Sequence, residues 1–201
     1  LGGSFATGAL TDPVNFRLNA TGNRLDLQHR AVVGTVAASG AVPSVILGGT
    51  AALAYTVFNS APALSDALQI SVAGVGSVGG SLSAGGIAPG SQSAVLGGLV
   101  FTGTTVGSAQ PGVIRVSGVG AANGPVDAAL SVNVYDHARL VDPVSALAVP
   151  AVVEGYNAAV ASASSLSIAN AGGYRANLKL ESVSAGNLSL GGTAGLVAGA
   201  H

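Results

Sequence analysis

The chain contains no cysteine, methionine or tryptophan, and it carries very little charge. Without cysteine it can form no disulfide, thiol nucleophile or cysteine-based metal site. Charged residues make up 7% of the sequence, against roughly a quarter in an average soluble domain. One lysine, Lys179, and six scattered arginines form no basic stripe, which argues against nucleic acid as a partner. The sequence also has no apolar run of about 18 residues, which argues against membrane insertion.

The 201 residues are instead rich in small and aliphatic side chains, with 49% apolar residues and 31 glycines. That composition is sufficient for a buried core. The surface must then be nearly neutral, and weak electrostatic repulsion favours association between molecules. We therefore read the composition as a sign of assembly; an acid- or salt-adapted soluble domain is the alternative. The lack of oxidisable cysteine and methionine suits a long-lived secreted protein, although it would also suit a cytosolic one, and we expect the sequence to be a mature or excised segment.

Short runs in which apolar and polar residues alternate dominate the sequence, and glycine, proline, asparagine and serine separate them. Alternation with a period of two is typical of half-buried antiparallel strands. The clearest runs are Asn15 to Asn19, Val32 to Val36, Ala52 to Phe58, Leu68 to Val72, Val95 to Phe101, Val113 to Ser117, Leu130 to Tyr135, Ser165 to Ala169, Leu178 to Leu180 and Leu188 to Leu190. We interpret 149–165 as strand or loop, because Gly155 and β-branched residues disfavour a helix. The predicted fold is all-β.

The run Ala52 to Phe58 shows how such a strand would pack. Leu53, Tyr55 and Val57 fall on one face, since successive side chains of a strand point to opposite sides. We expect the packed faces, and the surfaces used in assembly, to include six apolar residues: Val32, Val36, Val57, Phe58, Ile168 and Leu180.

Several motifs recur along the chain. The segment Tyr55 to Asn59 is echoed by Leu166 to Asn170, about 110 residues later, and the echo continues from Leu68–Ile70 to Leu178–Leu180. Phe16 to Asn19 likewise matches Ile114 to Ser117, and Val32 to Val36 matches Leu130 to Val134, both about 98 residues apart. Such echoes indicate repeated units.

The echoes divide the chain into three pieces. Residues 1–38 resemble the C-terminal part of a β-sandwich, 39–138 a complete immunoglobulin-like sandwich, and 139–201 the N-terminal part of another. The two end pieces add up to about one sandwich of immunoglobulin size. They could complete each other within one chain or between chains, and completion between chains is a head-to-tail contact that builds filaments. Alternatively, the sequence is a slice of a longer repeat array.

Residues suited to catalysis or metal binding do not form a recognisable set. The eight acidic residues are scattered, so no spacing implies a catalytic pair. His29 with Asp26, and His137 with Asp136, could offer ligands to a metal, but their spacing is not diagnostic. Glycine-rich stretches lack the lysine of a phosphate-binding loop. We therefore assign no catalytic, metal-binding or cofactor-binding residue and expect a protein that is not an enzyme.

The strand motif Tyr55 to Asn59, the Gly- and Ser-rich stretch Gly74 to Gly90 and the closing strand Leu130 to Ala138 resemble a known family. They are similar to the immunoglobulin-like repeats of bacterial surface proteins called choice-of-anchor D domains. The resemblance covers the central module and part of each end piece. It implies an exported protein of sandwich repeats, located at the cell surface or outside the cell, with no catalytic residues to transfer.

Two functions follow as hypotheses. The first is a subunit of a surface filament, sheath or matrix, whose partners are copies of itself and whose end pieces complete one another. The second is an adhesin or carbohydrate-binding module that contacts extracellular polysaccharide through loops. A polysaccharide-cleaving enzyme would need a converging acid pair, which the spacing does not provide.

Overall fold

Seven of the ten alternating runs form strands in the structure, a computed structural model that describes residues 12–21, 24–42, 44–141 and 168–179. Every regular element in these residues is a β-strand. The strands are β1 (Phe16–Thr21), β2 (Arg24–His29), β3 (Val33–Ala38), β4 (Val45–Ile46), β5 (Thr50–Asn59), β6 (Leu68–Gly76), β7 (Val78–Gly79), β8 (Ser81–Ile87), β9 (Leu96–Thr102), β10 (Gly107–Gly118) and β11 (Val126–Tyr135). The prediction of an all-β chain is confirmed.

Strand β5 shows why these residues fold as strands. Its burial alternates along its length, and Leu53, Tyr55 and Val57 are buried while Ala52 and Ala54 are exposed. The predicted apolar face is therefore confirmed. Burying one aliphatic or aromatic side chain contributes about 1.5–3 kcal/mol, so this face alone is a large stabilising term.

Two sheets pack face to face around a single core. One has the strand order β4-β11-β10-β6-β8 and the other the order β3-β5-β9-β7. Strand β10 is antiparallel to β6 and β11, and β5 is antiparallel to β3 and β9. Their inward residues form one cluster, whose most deeply buried members include Tyr55, Val57, Leu99 and Phe101 from one sheet and Leu68, Val72, Val116 and Val134 from the other. The fold is an antiparallel β-sandwich.

Strands β1 and β2 form a separate two-stranded antiparallel sheet, with Phe16 opposite His29 and Leu18 opposite Leu27. Strand β3 does not join this sheet but pairs with β5 in the sandwich. Strand β11, which carries the sequence echo of β3, lies in the other sheet beside β10. That echo therefore does not mark equivalent strands, because alternating valines and small residues suit many strands.

The chain divides into two compact units, Leu1–Val134 and Tyr135–His201. In the second unit, Asp136 forms a parallel bridge with Arg175 and Leu140 an antiparallel bridge with Asn170. The rings of Tyr135 and Tyr174 stack at 4.6 Å. The segments 149–165 and 188–190, and parts of the runs 165–169 and 178–180, lie outside the described residues, so their predicted structure stays a prediction.

No helix in the described ranges is long and apolar enough to cross a membrane.

Candidate assembly site

Of the six apolar residues predicted to pack or to mediate assembly, the structure brings four together at the start of the sandwich. Val36 and Val57 are paired directly across β3 and β5. Val57 is fully buried, and Val36 packs against the core from a partly buried position. Phe58 follows on the opposite face of β5 and is half-buried, and Val32 immediately precedes β3.

The remaining two residues belong to the second unit. Ile168 is half-buried and lies two residues before Asn170. Leu180 lies outside the described residues. The role of all six in assembly stays a prediction, but Val32, Phe58 and Ile168 are next to a polar arrangement that sequence reasoning did not assign a role.

Asn59 is the centre of that arrangement. It ends β5 and is fully buried. Its Oδ1 accepts hydrogen bonds from the backbone amides of Val32 and Ala61, both at 3.2 Å. Its Nδ2 donates to the carbonyl oxygens of Asp66 at 3.2 Å and Ile87 at 3.0 Å. A buried asparagine amide has two donor hydrogens and one oxygen that can accept twice, so Asn59 uses its full capacity.

These bonds hold residues 29–32, which run from the last residue of β2 to the residue before β3. We call this segment the first linker. Backbone bonds attach it at both ends: the amide of Asp66 donates to the carbonyl of His29 at 2.9 Å, and the amide of Ser60 donates to the carbonyl of Val32 at 3.0 Å. The linker is thus fixed by main-chain groups of the loop that follows β5. Asn59 connects the linker to this loop, because it bonds to the amide of Val32 and to the carbonyl of Asp66.

Asn170 does the same in the second unit, and it too is buried. Its Oδ1 accepts from the amide of Arg139 at 3.1 Å, and its Nδ2 donates to the carbonyl of Ala176 at 2.9 Å. The amide of Ala176 donates to the carbonyl of Asp136 at 2.8 Å, and that of Ala171 donates to the carbonyl of Arg139 at 2.7 Å. Residues 136–139, the second linker, are therefore held by counterparts of four of the bonds at the first linker; the bonds of Asn59 to Ala61 and Ile87 have no counterpart among the described residues.

The two arrangements match residue by residue. His29 corresponds to Asp136 and Val32 to Arg139 in the linkers, and Asn59 corresponds to Asn170 in the unit that holds them. The sequence signal was present, since the echo of Tyr55 to Asn59 in Leu166 to Asn170 ends on these two asparagines. It was not recognised because asparagine at a strand end is ordinarily assigned to a turn.

Ion pairs flank both linkers with opposite polarity. In the first unit, Arg17 of β1 pairs with Asp66 at 2.8 Å. In the second unit the acid is on the linker, where Asp136 pairs with Arg175 at 2.8 Å. Arg175 also donates to the carbonyl oxygen of His137 at 2.8 Å. A shallow cavity of about 310 Å³ beside the first linker is lined by Arg17, Asp66 and Gln69 among others, so its two charges are already paired with each other.

The histidine–carboxylate pairs considered as metal ligands are used otherwise. Asp26 pairs with Arg24 at 2.7 Å and Asp136 with Arg175. The ring of His29 packs edge-on against Phe16 at 4.8 Å, and its Nδ1 lies 3.0 Å from the carbonyl oxygen of Arg30. Within the described ranges, no three histidine or acidic side chains form a group that could hold a metal ion.

Few groups have shifted pKa values, and none of the shifts occurs where acids converge. Burial raises the pKa of the Tyr55 hydroxyl to about 12. The hydrogen bond from Arg115 lowers the pKa of Asp127 on the neighbouring strand. A side-chain hydrogen bond from Asn15 lowers that of Asp12. These shifts come from core packing, a cross-strand ion pair and a turn.

No protein-family model matches the chain, and no curated protein matches it either.

Proposed function

We propose that the protein is a non-enzymatic extracellular structural subunit, built from sandwich repeats that assemble head to tail into a surface filament, sheath or matrix. The observation that carries this proposal is the repetition of the asparagine-held linker. A linker attached by the same bonds at two positions is what a tandem array of one module requires, because each module must hold the chain arriving from the previous one.

The strand order supports an immunoglobulin-like module. In that fold one sheet has the order A-B-E-D and the other contains C, F and G, with C′ added at the edge in variable-type domains. If β3 is strand A and β11 strand G, the sheet β3-β5-β9-β7 and the strands β11-β10-β6-β8 of the other sheet follow this order, and the two-residue β4 is an additional edge strand beside β11. Strand β7 departs from it, because it lies between β6 and β8 in the chain rather than after both.

The surface also suits a structural role among copies of the same chain. With 7% charged residues and a net charge of −1, neighbouring molecules repel one another weakly. The exposed hydrophobic residues include Leu25, Leu27, Ile46 and Val119. Contact with other copies would remove such side chains from water.

Sedimentation velocity and negative-stain microscopy over a range of protein concentrations test this proposal. The 201-residue chain should form filaments or long oligomers, whereas a chain beginning at His29, which lacks β1 and β2, should stay small. The cut is placed before His29 because β3 and the first linker belong to the sandwich. Circular dichroism and the melting temperature verify that the shortened chain keeps the sandwich.

Dispersed monomers of the full chain at every concentration would contradict the proposal. Saturable binding of such monomers to extracellular polysaccharide would then favour an adhesin.

A further inference from the structure

The β1–β2 hairpin has one polar and one apolar face. Cross-strand partners lie on the same side of a sheet, so Arg17, Asn19, Asp26 and Gln28 share one face, on which Arg17 reaches Asp66. The opposite face contains five apolar residues, Phe16, Leu18, Ala20, Leu25 and Leu27. We call this the apolar face of the hairpin.

Phe16 and Leu18 are half-buried, and Phe16 packs against His29 on the same side, but the rest of this face is poorly covered. Leu25 is 38% exposed and Leu27 is 59% exposed. An isolated two-stranded hairpin is at best marginally stable in water, and it ordinarily needs a further layer over its apolar side.

The matching of the two linkers identifies what is missing. When His29 is matched to Asp136, Leu25 falls on Val132 and Leu27 on Val134. In β11 these two valines are 1% and 0% exposed, because they face the sheet β3-β5-β9-β7 across the core. The hairpin is thus the counterpart of the closing strands of a sandwich, without the sheet that covers them.

The second unit begins with the complementary part. Its described residues contain the linker, the buried asparagine and the loop that in the central sandwich surround β3 and the end of β5. These are opening elements of a sandwich, and strands such as β3 and β5 are the ones that cover the valines of β11. By the same matching, the counterparts of β3 and of most of β5 would fall on residues 140–145 and 161–170, largely outside the described residues, so the cover they would provide is part of the proposal that follows.

We propose that the apolar face of the hairpin is covered by the C-terminal unit, Tyr135–His201, of a second copy of this chain. This inference rests on the proposed function, since it names the surface through which successive subunits would meet. Each contact uses the hairpin of one copy and the C-terminal unit of the next, so both surfaces stay free at the ends of the assembly and growth continues.

Thiol labelling of the full-length chain tests the proposal directly, because the natural sequence has no cysteine. Two single-cysteine variants are compared, Leu27→Cys on the apolar face and Val95→Cys before β9, where the natural side chains are 59% and 60% exposed. Labelling of the first with an uncharged maleimide should slow by about tenfold or more as the protein assembles, while labelling of the second changes little.

A pair of charged variants provides a second measurement. Leu27→Asp should weaken association by about tenfold or more, because a carboxylate would be buried against apolar side chains, whereas Val95→Asp should leave it near the wild-type value. The melting temperature of the central sandwich should be nearly the same in both variants, since neither side chain belongs to its core.

The outcomes separate this inference from the proposed function. If the chain assembles while the cysteine at position 27 stays fully reactive, assembly stands and the apolar face is the wrong surface. If that cysteine is protected even in dilute monomers, the face is covered within its own chain and the second-copy proposal fails. If the wild-type chain never associates, the proposed function fails as well.

Discussion

The two linkers share their backbone bonds but differ in the charges around them. Asn59 and Asn170 accept from and donate to equivalent main-chain groups. The flanking ion pair is reversed, with the acid on the loop side in Asp66 and on the linker side in Asp136. We infer that the hydrogen bonds of the asparagine and the backbone determine how each linker is attached, whereas the arrangement of charges beside the linker can vary.

The largest effect is expected from Asn59→Leu, which keeps the volume of the side chain but removes its amide. It would leave two buried amides and two carbonyls without partners, and we expect a loss of about 3–5 kcal/mol in the free energy of unfolding. Urea denaturation measures it. Asn133→Leu is the matched control, because Asn133 is exposed on β11 and accepts one hydrogen bond, from the amide of Ala109 at 3.1 Å; its effect should stay within about 1 kcal/mol. Equal losses in both variants would refute the central role of Asn59.

Asn170→Leu tests whether the second linker can be weakened without destabilising the first unit. We expect a loss of about 2 kcal/mol confined to the second unit. Hydrogen exchange at the amides of Arg139 and Ala171 should accelerate, while exchange in β5 and β10 stays unchanged. Faster exchange throughout the sandwich would instead mean that the two units unfold together.

Tyr55 should make the stability of the first unit depend on pH in a way that the second unit does not share, because the matching residue of the echo is Leu166. The Tyr55 hydroxyl is buried without a hydrogen-bond partner, and burial raises its pKa from 10.0 to about 12. Between these values the unfolded chain releases the proton first, so stability falls as pH rises, by about 2 kcal/mol near pH 12.

Tyr55→Phe should remove this part of the alkaline loss and leave stability at pH 7 nearly unchanged. Melting temperatures from pH 8 to about pH 11 measure the difference between the two proteins. Parallel pH profiles for wild type and variant would show that Tyr55 does not titrate in this way.

The smallest effect is expected from the ion pair beside the first linker. Arg17→Asp or Asp66→Arg alone should cost about 0.5–1 kcal/mol, since the Arg17 side chain is largely exposed. The double exchange should recover most of that loss, because it places opposite charges at the same two positions again. Double-mutant cycles at low and high salt measure the coupling. A double variant less stable than both single variants would show that polarity at this site is fixed.

Much of the fold could be predicted from alternation alone. The run Ala52 to Phe58 gave the correct buried face of β5, because the period of two reports directly on which side meets the core. Four strands were not among the predicted runs: β4 and β7, whose two residues carry no period, β2, and β8, whose serines and glycines give little apolar alternation. The pairing of β3 with β5 also escaped, because alternation describes a strand without naming its neighbour.

The candidate site was predictable only in outline. Val36 and Val57 were identified as packing residues, and the structure pairs them across two strands. The role of Asn59 was missed because its four partners are main-chain groups, which look the same in every sequence. The recurrence of this asparagine as Asn170 was the available signal in the sequence. The structure explains the recurrence, because both asparagines bond to the backbone of a linker.

The placement of two arginines gives the linkers a further property. Arg30 and Arg139 lie within residues 29–32 and 136–139, so a trypsin-like protease that cuts after arginine has a potential cleavage site in each linker. Proteolysis requires a segment to leave its surroundings and extend in the protease cleft. The backbone bonds at Val32 and Arg139 oppose that extension. The same asparagines that hold the two linkers therefore protect the chain at these arginines.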